Sequence, residues 1–257
     1  MPASAPYPGT QTVLRAVTLL KAFTDDHPQL GLAELARAAQ LSKSTTYRLL
    51  TALESEGLIA RSSDTETYRL GPEAISLGGR ALRANGLRLA SRSELEQLAD
   101  DTNETATLEV LVGSDTLILD EVLGGHLIGA TPELGARWPA HTTSTGKAIL
   151  AALPEDELNA ALPRRLATPT EKSLRDRESL HAELARVRKR GYAVAAEELE
   201  PGFVAVGAAV RNHDGQVAAA ISIGGPIGRM TPARIAEIAE KVKEAAGRIS
   251  HRLGYKM

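Results

Sequence analysis

The sequence contains no cysteine, which excludes disulfides, thiolate catalysis, iron–sulfur clusters and Cys-ligated zinc. Aromatic side chains are few, with one Trp and two Phe. No stretch approaches the roughly 18 unbroken apolar residues that a membrane helix needs. The opening MPASAPYPGT lacks the basic segment and apolar core of a secretory signal, so residues 1–9 read as a short disordered tail. Charge of either sign is not in excess: 30 Lys+Arg stand against 32 Asp+Glu, for a net −2, which argues against coating nucleic acid by bulk attraction. Also missing are G-x-S-x-G, G-x-G-x-x-G, the phosphate-binding P-loop and H-E-x-x-H. Six His residues are scattered without ligand spacing. These absences leave a cytoplasmic protein with no membrane partner, no metal site and no cofactor.

What remains is ordinary globular material. The 257 residues are 43% hydrophobic and 24% charged, enough for one domain or two. Residues 1–90 carry 10 basic and 8 acidic side chains, for +2, and residues 91–257 carry 20 and 24, for −4. That asymmetry gains meaning only once the motifs are placed.

Hydrophobic periodicity predicts an amphipathic helix over Thr12–Phe23, a short helix over Leu32–Ala39, and a third from Ser42 to about Ser55 that stops at Gly57. Two short strands at 58–61 and 67–70 flank the polar SSDTE, predicting a hairpin. Gly71-Pro72 opens another helix, interrupted at Gly78-Gly79 and ending near Asn85-Gly86, and a further helix covers Leu87–Asp101. Beyond it, strands and helices alternate. ATLEVLVGSDTLILDEVL forms two strands about a turn, and HLIGAT and the residues around Trp138 form two more. Thr143–Leu153 is helical, and so is Asp176–Arg190 with Gly191 as its left-handed stop. YAVAAEE, FVAVGAAVRN and QVAAAISIGG are strands, and Thr231-Pro232 opens a last helix to about Leu253.

Three helices with a tight break before the third, then a hairpin, is the order of a winged helix-turn-helix, whose third helix enters the DNA major groove by its first turns. Those turns read Ser42, Lys43, Ser44, Thr45, Thr46, Tyr47, Arg48, with no acid before Glu54. Hydroxyls and a helix N-terminus hold phosphate oxygens, while Lys and Arg reach phosphates or guanine edges. Arg61 and Arg69 sit where the hairpin flanks the backbone. Many surface helices open Ser-Lys-Ser-Thr, so the heptapeptide alone decides little; the order and spacing of all the elements carry the reading.

Here the chain resembles the IclR-type bacterial transcriptional regulators. The resemblance rests on LAELARAAQLSKSTTYRLLTALESEGLI at 32–59, YRLGP at 68–72, GKAILAALP at 146–154, RGYAVAAEE at 190–198 and AAISIGGPIGRMT at 219–231. It departs in the turn, where the family usually has Gly and this chain has Gln40. A left-handed Gln there costs on the order of 1 kcal/mol. The resemblance implies a mixed α/β (α+β) chain: a winged helix-turn-helix at 10–71, a linker helix at 72–90, and a GAF/profilin-like effector domain with an antiparallel sheet at 91–257. One such helix set buries too little DNA surface for high specificity, so a homodimer on a two-fold-related double-stranded operator is expected, and the resemblance implies that two dimers associate further. The apolar face of the first helix and the helix at 72–85 are the expected dimer contacts.

The second domain has two rival readings, a sensory domain and a hydrolase-like enzyme tethered to DNA. His141 and Ser144 are three apart and can be cast as base and nucleophile, but no acid is placed beside them. Lys147 is expected at a partly exposed helix end, and Gly224–Gly228 as a turn from strand to last helix. The resemblance places the effector pocket beside AHTTSTGKA at 140–148, with Thr143, Ser144 and Thr145 at a helix start suited to a carboxylate. The opposite wall comes from Ala195, Ala205 and Ser222, with Leu127, Gly129, Trp138 and His141 as further candidates. Small apolar residues at Ala195, Ala196 and Ala205 suit a ring rather than a two-carbon oxoacid, so a small organic effector, an aromatic acid or a phenol, is expected.

Overall fold

The computed structural model describes residues 9–62, 64–125 and 134–256. The chain divides into two compact units between Ala84 and Asn85.

In the first unit, α1 (Gln11–Leu20), α2 (Leu32–Ala38) and α3 (Lys43–Ser55) are followed by strands β2 (Ile59–Arg61) and β3 (Thr67–Leu70) and by α4 (Pro72–Arg83). A two-residue strand, β1 (Leu30–Gly31), completes an antiparallel sheet of order β1-β3-β2. It was not expected, because two residues carry no periodicity. Leu19, Leu35, Leu50, Leu53, Ile59 and Tyr68 meet in one small core. The turn between α2 and α3 is a Schellman motif: Leu41 N–H donates to the Ala36 carbonyl and Gln40 N–H to that of Arg37. Its left-handed residue is Gln40, with φ 55. Helix α4 runs unbroken through Gly78-Gly79, contrary to the expected interruption. Its flanking residues supply enough helical bonds to carry two glycines, and the break comes at Ala84–Asn85, where the Asn85 side chain caps the next helix.

The second unit is a six-stranded antiparallel sheet of order β6-β5-β4-β9-β8-β7. Its elements are α5 (Gly86–Thr102), β4 (Thr105–Val112), β5 (Asp115–Val122), β6 (Arg137–Pro139), a 3-10 turn at Ala140–Thr142, α6 (Ser144–Ala152), α7 (Glu155–Ala161), α8 (Arg177–Arg190), β7 (Ala193–Ala196), β8 (Phe203–Arg211), β9 (Val217–Pro226) and α9 (Pro232–Arg252). Strand period two sorts side chains to the two faces. Ala106, Leu108, Val206, Ile221 and Ile223 pack under α5 and α9, against Leu95, Leu98, Ile238, Val242 and Ile249. Ala193 and Ala220 face a second core with Leu150, Leu180, Leu184 and Val187 of α6 and α8. Gly224 and Gly225 lie inside β9 rather than in a turn, and the chain turns only after Pro226. Gly191 ends α8 in the left-handed region, as expected.

The expected HLIGAT strand, with Leu127 and Gly129, lies outside the described residues, as does all of the N-terminal tail except Gly9. Among the described residues, no helix is long and apolar enough to cross a membrane, and no group of three His, Asp or Glu residues is placed to hold a metal.

Candidate functional site

Two features of the chain have the geometry of sites, one in each unit. In the first, Ser42 caps α3: its Oγ accepts from the Thr45 N–H at 3.2 Å and donates to Thr45 Oγ1 at 2.9 Å. Ser44 Oγ lies 3.1 Å from Ser42 Oγ. Lys43, Ser44, Tyr47 and Arg48 are exposed on one side of the helix, while Thr46, Leu50 and Leu53 repeat at helical spacing on the buried side. Thr46 therefore leaves the set predicted to meet DNA: it is 0% exposed, and its hydroxyl donates to the Ser42 carbonyl at 3.0 Å. On the hairpin, Arg61 pairs with Glu66 at 3.1 Å and lies over the Tyr68 ring. Arg69 is exposed on β3. Lys43, Arg48 and Arg69 have no ion-pair partner among the described residues, so the exposed edge of α3 and the hairpin carries uncompensated positive charge.

In the second unit, a cavity of about 820 Å³ opens between the sheet and α6. Thr143, Ser144, Thr145, Ala195, Ala205 and Ser222 all line it, as does Trp138. Two glycines permit this packing, Gly146 where α6 meets the 3-10 turn and Gly207 where α6 meets the sheet. A Cβ on Gly146 would stand 2.0 Å from the Ala140 carbonyl oxygen, and one on Gly207 would stand 3.0 Å from the Thr145 nitrogen. Thr143 caps α6 by accepting from the Gly146 N–H at 3.0 Å. The first N–H groups of a helix have no intrahelical acceptor and mark the positive end of its dipole, and Ser144 and Thr145, the first residues of α6, line the cavity. Ile118, Trp138, Phe203 and the two alanines supply the apolar wall.

Three expectations change. His141 is buried behind the cavity and does not line it; its Nε2 lies 2.7 Å from the Ala167 carbonyl oxygen. Among the described residues, no hydrogen bond joins His141 to Ser144. Ala196 is exposed on the opposite side of β7 from Ala195. Lys147 is not at an exposed helix end. It is 1% exposed, with Nζ donating to the Val194 carbonyl at 2.6 Å and to Glu198 Oε1 at 2.5 Å. Residues Ser144–Ala151 of α6 are all buried, so its lysine is paired inside the protein rather than held in water.

Two carboxyls outside the sequence motifs join the site. Glu198, just past β7, reaches the cavity and holds Lys147. Burial pushes its carboxyl above the usual carboxylate range, and the Lys147 ammonium opposes that shift. Glu109 on β4 is 5% exposed and accepts from Thr145 Oγ1 at 2.6 Å and Thr107 Oγ1 at 3.0 Å. Burial raises this carboxyl too, against the hydroxyl bonds of Thr145, Thr116 and Thr107. It had a signal: Thr105, Thr107 and Glu109 form one side of the alternation in TATLEVLV, so the acid shares a face with two cavity-lining hydroxyls.

Comparison with known proteins matches the same two parts. Residues 79–251 fit the family model for the bacterial transcriptional regulator IclR C-terminal region, and residues 12–63 fit the IclR helix-turn-helix domain. The chain belongs to the IclR family. It is similar to the HTH-type transcriptional regulator XynR of Escherichia coli, 32% identical over 249 residues that cover 96% of this chain and 99% of XynR. Among solved structures, Thermotoga maritima IclR is 32% identical with a TM-score of 0.72, covering 95% of this chain and 99% of that one. An IclR homologue from Microbacterium hydrocarbonoxydans, solved as a complex with 4-hydroxybenzoate, is 25% identical with a TM-score of 0.79, covering 94% and 98%. The chain is thus an IclR-family transcriptional regulator, of mixed helix and antiparallel sheet, with an N-terminal DNA-binding helix-turn-helix.

Proposed function

We propose that this IclR-family regulator binds a two-fold-related operator as a homodimer, associating further as a dimer of dimers in the cytoplasm, and that a small aromatic acid or related metabolite in the second-unit cavity modulates its DNA affinity. The observation that carries the effector reading is the N-terminus of α6 opening into a cavity with an apolar wall. An acid group sits against the N–H groups of Ser144 and Thr145, and a ring packs on Trp138, Phe203, Ala195 and Ala205. The 4-hydroxybenzoate bound by the Microbacterium homologue is a compound of this class.

For DNA, Ser42, Lys43, Ser44, Thr45, Tyr47 and Arg48 form the reading face, and Arg61 and Arg69 flank the backbone. One such unit covers too little DNA for high specificity, which calls for pairing. Exposed apolar side chains on α1 (Val13 63%, Leu14 and Val17) and on α4 (Ile75 77%, Leu77) suit that contact.

The test is a gel-shift titration at fixed salt on DNA from the gene's own upstream region, with and without a panel of aromatic and aliphatic acids. Arg48→Ala is expected to weaken operator binding by about 1–3 kcal/mol, roughly 5- to 150-fold, while effector binding survives. Unchanged operator affinity refutes this placement of the reading helix.

A further inference from the structure

The end of the cavity where α6 begins holds two features that conflict. A helix N-terminus favours an anion, yet Glu109 stands within hydrogen-bond reach of Thr145, the second residue of that helix. No Lys, Arg or His is among the described residues that line the cavity, and Lys147 on α6 is bound to Glu198. An ionised Glu109 would face an effector carboxylate across a few ångströms of desolvated space, where like charges repel strongly and one of two such groups holds a proton.

We propose that Glu109 enters this site as a neutral carboxylic acid and donates a hydrogen bond to the effector's carboxylate, so that the two acid groups share one proton at the N-terminus of α6. This rests on the effector class proposed above and names Glu109 as the residue that selects for it. The groups facing Glu109 are compatible with the neutral form. Thr107 (β4), Thr116 (β5) and Thr145 (α6) meet it through hydroxyls, which accept as readily as they donate, and Ser222 (β9) in turn meets Thr107. Among the described residues, the other ionisable groups that line the cavity, Glu121 from β5 and Glu198 and Glu200 from the segment after β7, are all acids. None of them supplies a cation to hold Glu109 ionised. Burial without a cation pushes the carboxyl in the same direction. Net charge near the helix end then stays at one negative charge with the effector bound, matched to the helix dipole.

The linkage has a definite sign. The effector's own acid stays ionised throughout, and binding requires the proton on Glu109. Affinity is therefore constant below the pH at which Glu109 deprotonates in the free protein and falls above it by about tenfold per pH unit. The experiment uses the full-length protein. Carboxyl-carbon NMR, with the Glu109 signal assigned by its loss in Glu109→Gln, follows the proton from about pH 5 to about pH 9. Calorimetry over the same range follows binding of benzoate, 4-hydroxybenzoate and, as the opposite charge, benzylamine. The expected result is a Glu109 signal still protonated at neutral pH, acid affinity that falls at higher pH, and a Glu109→Gln variant that binds the acids with a flat pH profile, its amide N–H replacing the lost proton.

A Glu109 already ionised at neutral pH, with the acids still binding, overturns the shared proton and leaves the acid effector class intact. Stronger binding of benzylamine than of either acid overturns both. Failure of both acids to bind at any pH to protein that still binds its operator also overturns both, and leaves the DNA reading untouched.

Discussion

Removing Lys147 tests whether the second unit is held by a buried charge pair. Lys147 Nζ donates to Glu198 Oε1 and to the Val194 carbonyl, and Glu198 is only 12% exposed, so solvent screens the pair weakly. In Lys147→Met, the hydrocarbon stem is kept while the ammonium goes. Glu198 is left as an unpaired carboxylate, and the Val194 carbonyl loses a donor. Breaking one side of a buried pair costs about 3–5 kcal/mol. The upper end is capped here because Glu198 can take up a proton, at about 1.4 kcal/mol for each pH unit between its own pKa and the ambient pH. A loss of about 3 kcal/mol near neutral pH is expected. Replacing both partners, in Lys147→Met with Glu198→Leu, removes the orphaned charge along with its mate and should cost less than the single change, within about 1 kcal/mol of the wild type.

Urea unfolding followed by tryptophan fluorescence reads this directly, because the chain's one Trp, Trp138, lines the cavity in the same unit. The single variant has a sign in pH as well. Without Lys147 the folded Glu198 binds protons more tightly than the unfolded chain does. Stability of the variant therefore falls as pH rises through the window between the ordinary carboxylate range and the raised value. A single variant within about 1 kcal/mol of wild type, or a double variant as unstable as the sum of its parts, refutes the pair as an energetic unit.

Two predictions concern the backbone. Gln40→Gly relieves the left-handed strain at φ 55. Its gain of about 1–2 kcal/mol, less about 0.4–1 kcal/mol of added unfolded-state entropy, should leave the first unit slightly more stable in a thermal melt followed by circular dichroism; a lower melting temperature contradicts that. Gly146→Ala drives a methyl to 2.0 Å from the Ala140 carbonyl oxygen and should cost more than about 3 kcal/mol or prevent folding of the second unit. Gly78→Ala in α4 is its control, since no atom lies within 4 Å of the added Cβ. It should gain about 0.5–1 kcal/mol. Equal effects from the two changes would refute the close approach at Gly146.

What could be read in the sequence follows from how local each cause is. Ser42 as a cap, Gly191 as a helix stop and the β4–β5 hairpin each depend on a few adjacent residues, and all appear in the structure. The two-residue β1 offers no period to detect. The burial of Lys147 is not local, because its partner lies 51 residues away, and its only nearby sign is the run of small and apolar residues after it. Thr46 differs from its neighbours in the first turns of α3, since Leu50 and Leu53 at +4 and +7 put it on the core face.

The cavity shows how the local and distant causes combine. Segment 140–148 codes for a helix start by its own chemistry, Thr143 capping Gly146. Nothing within the segment says what that helix end faces. That is decided by Gly207 on β8, which lets the α6 backbone close on the sheet, and by the alternation of β4, which turns Glu109 rather than Leu108 toward it. The β4–β5 register shift opposite Leu108 and Glu109 places its extra residue, Leu119, on β5, so β4 keeps its alternation and its regular pairing with β9. A positive helix end and a buried acid are thereby brought together by three separate strands and one helix. Neither is informative alone: the helix end would accept any anion, and the acid would reject one. Together they match the occupant proposed above, a group that brings a single negative charge and accepts from a proton-bearing partner, as a carboxylate does.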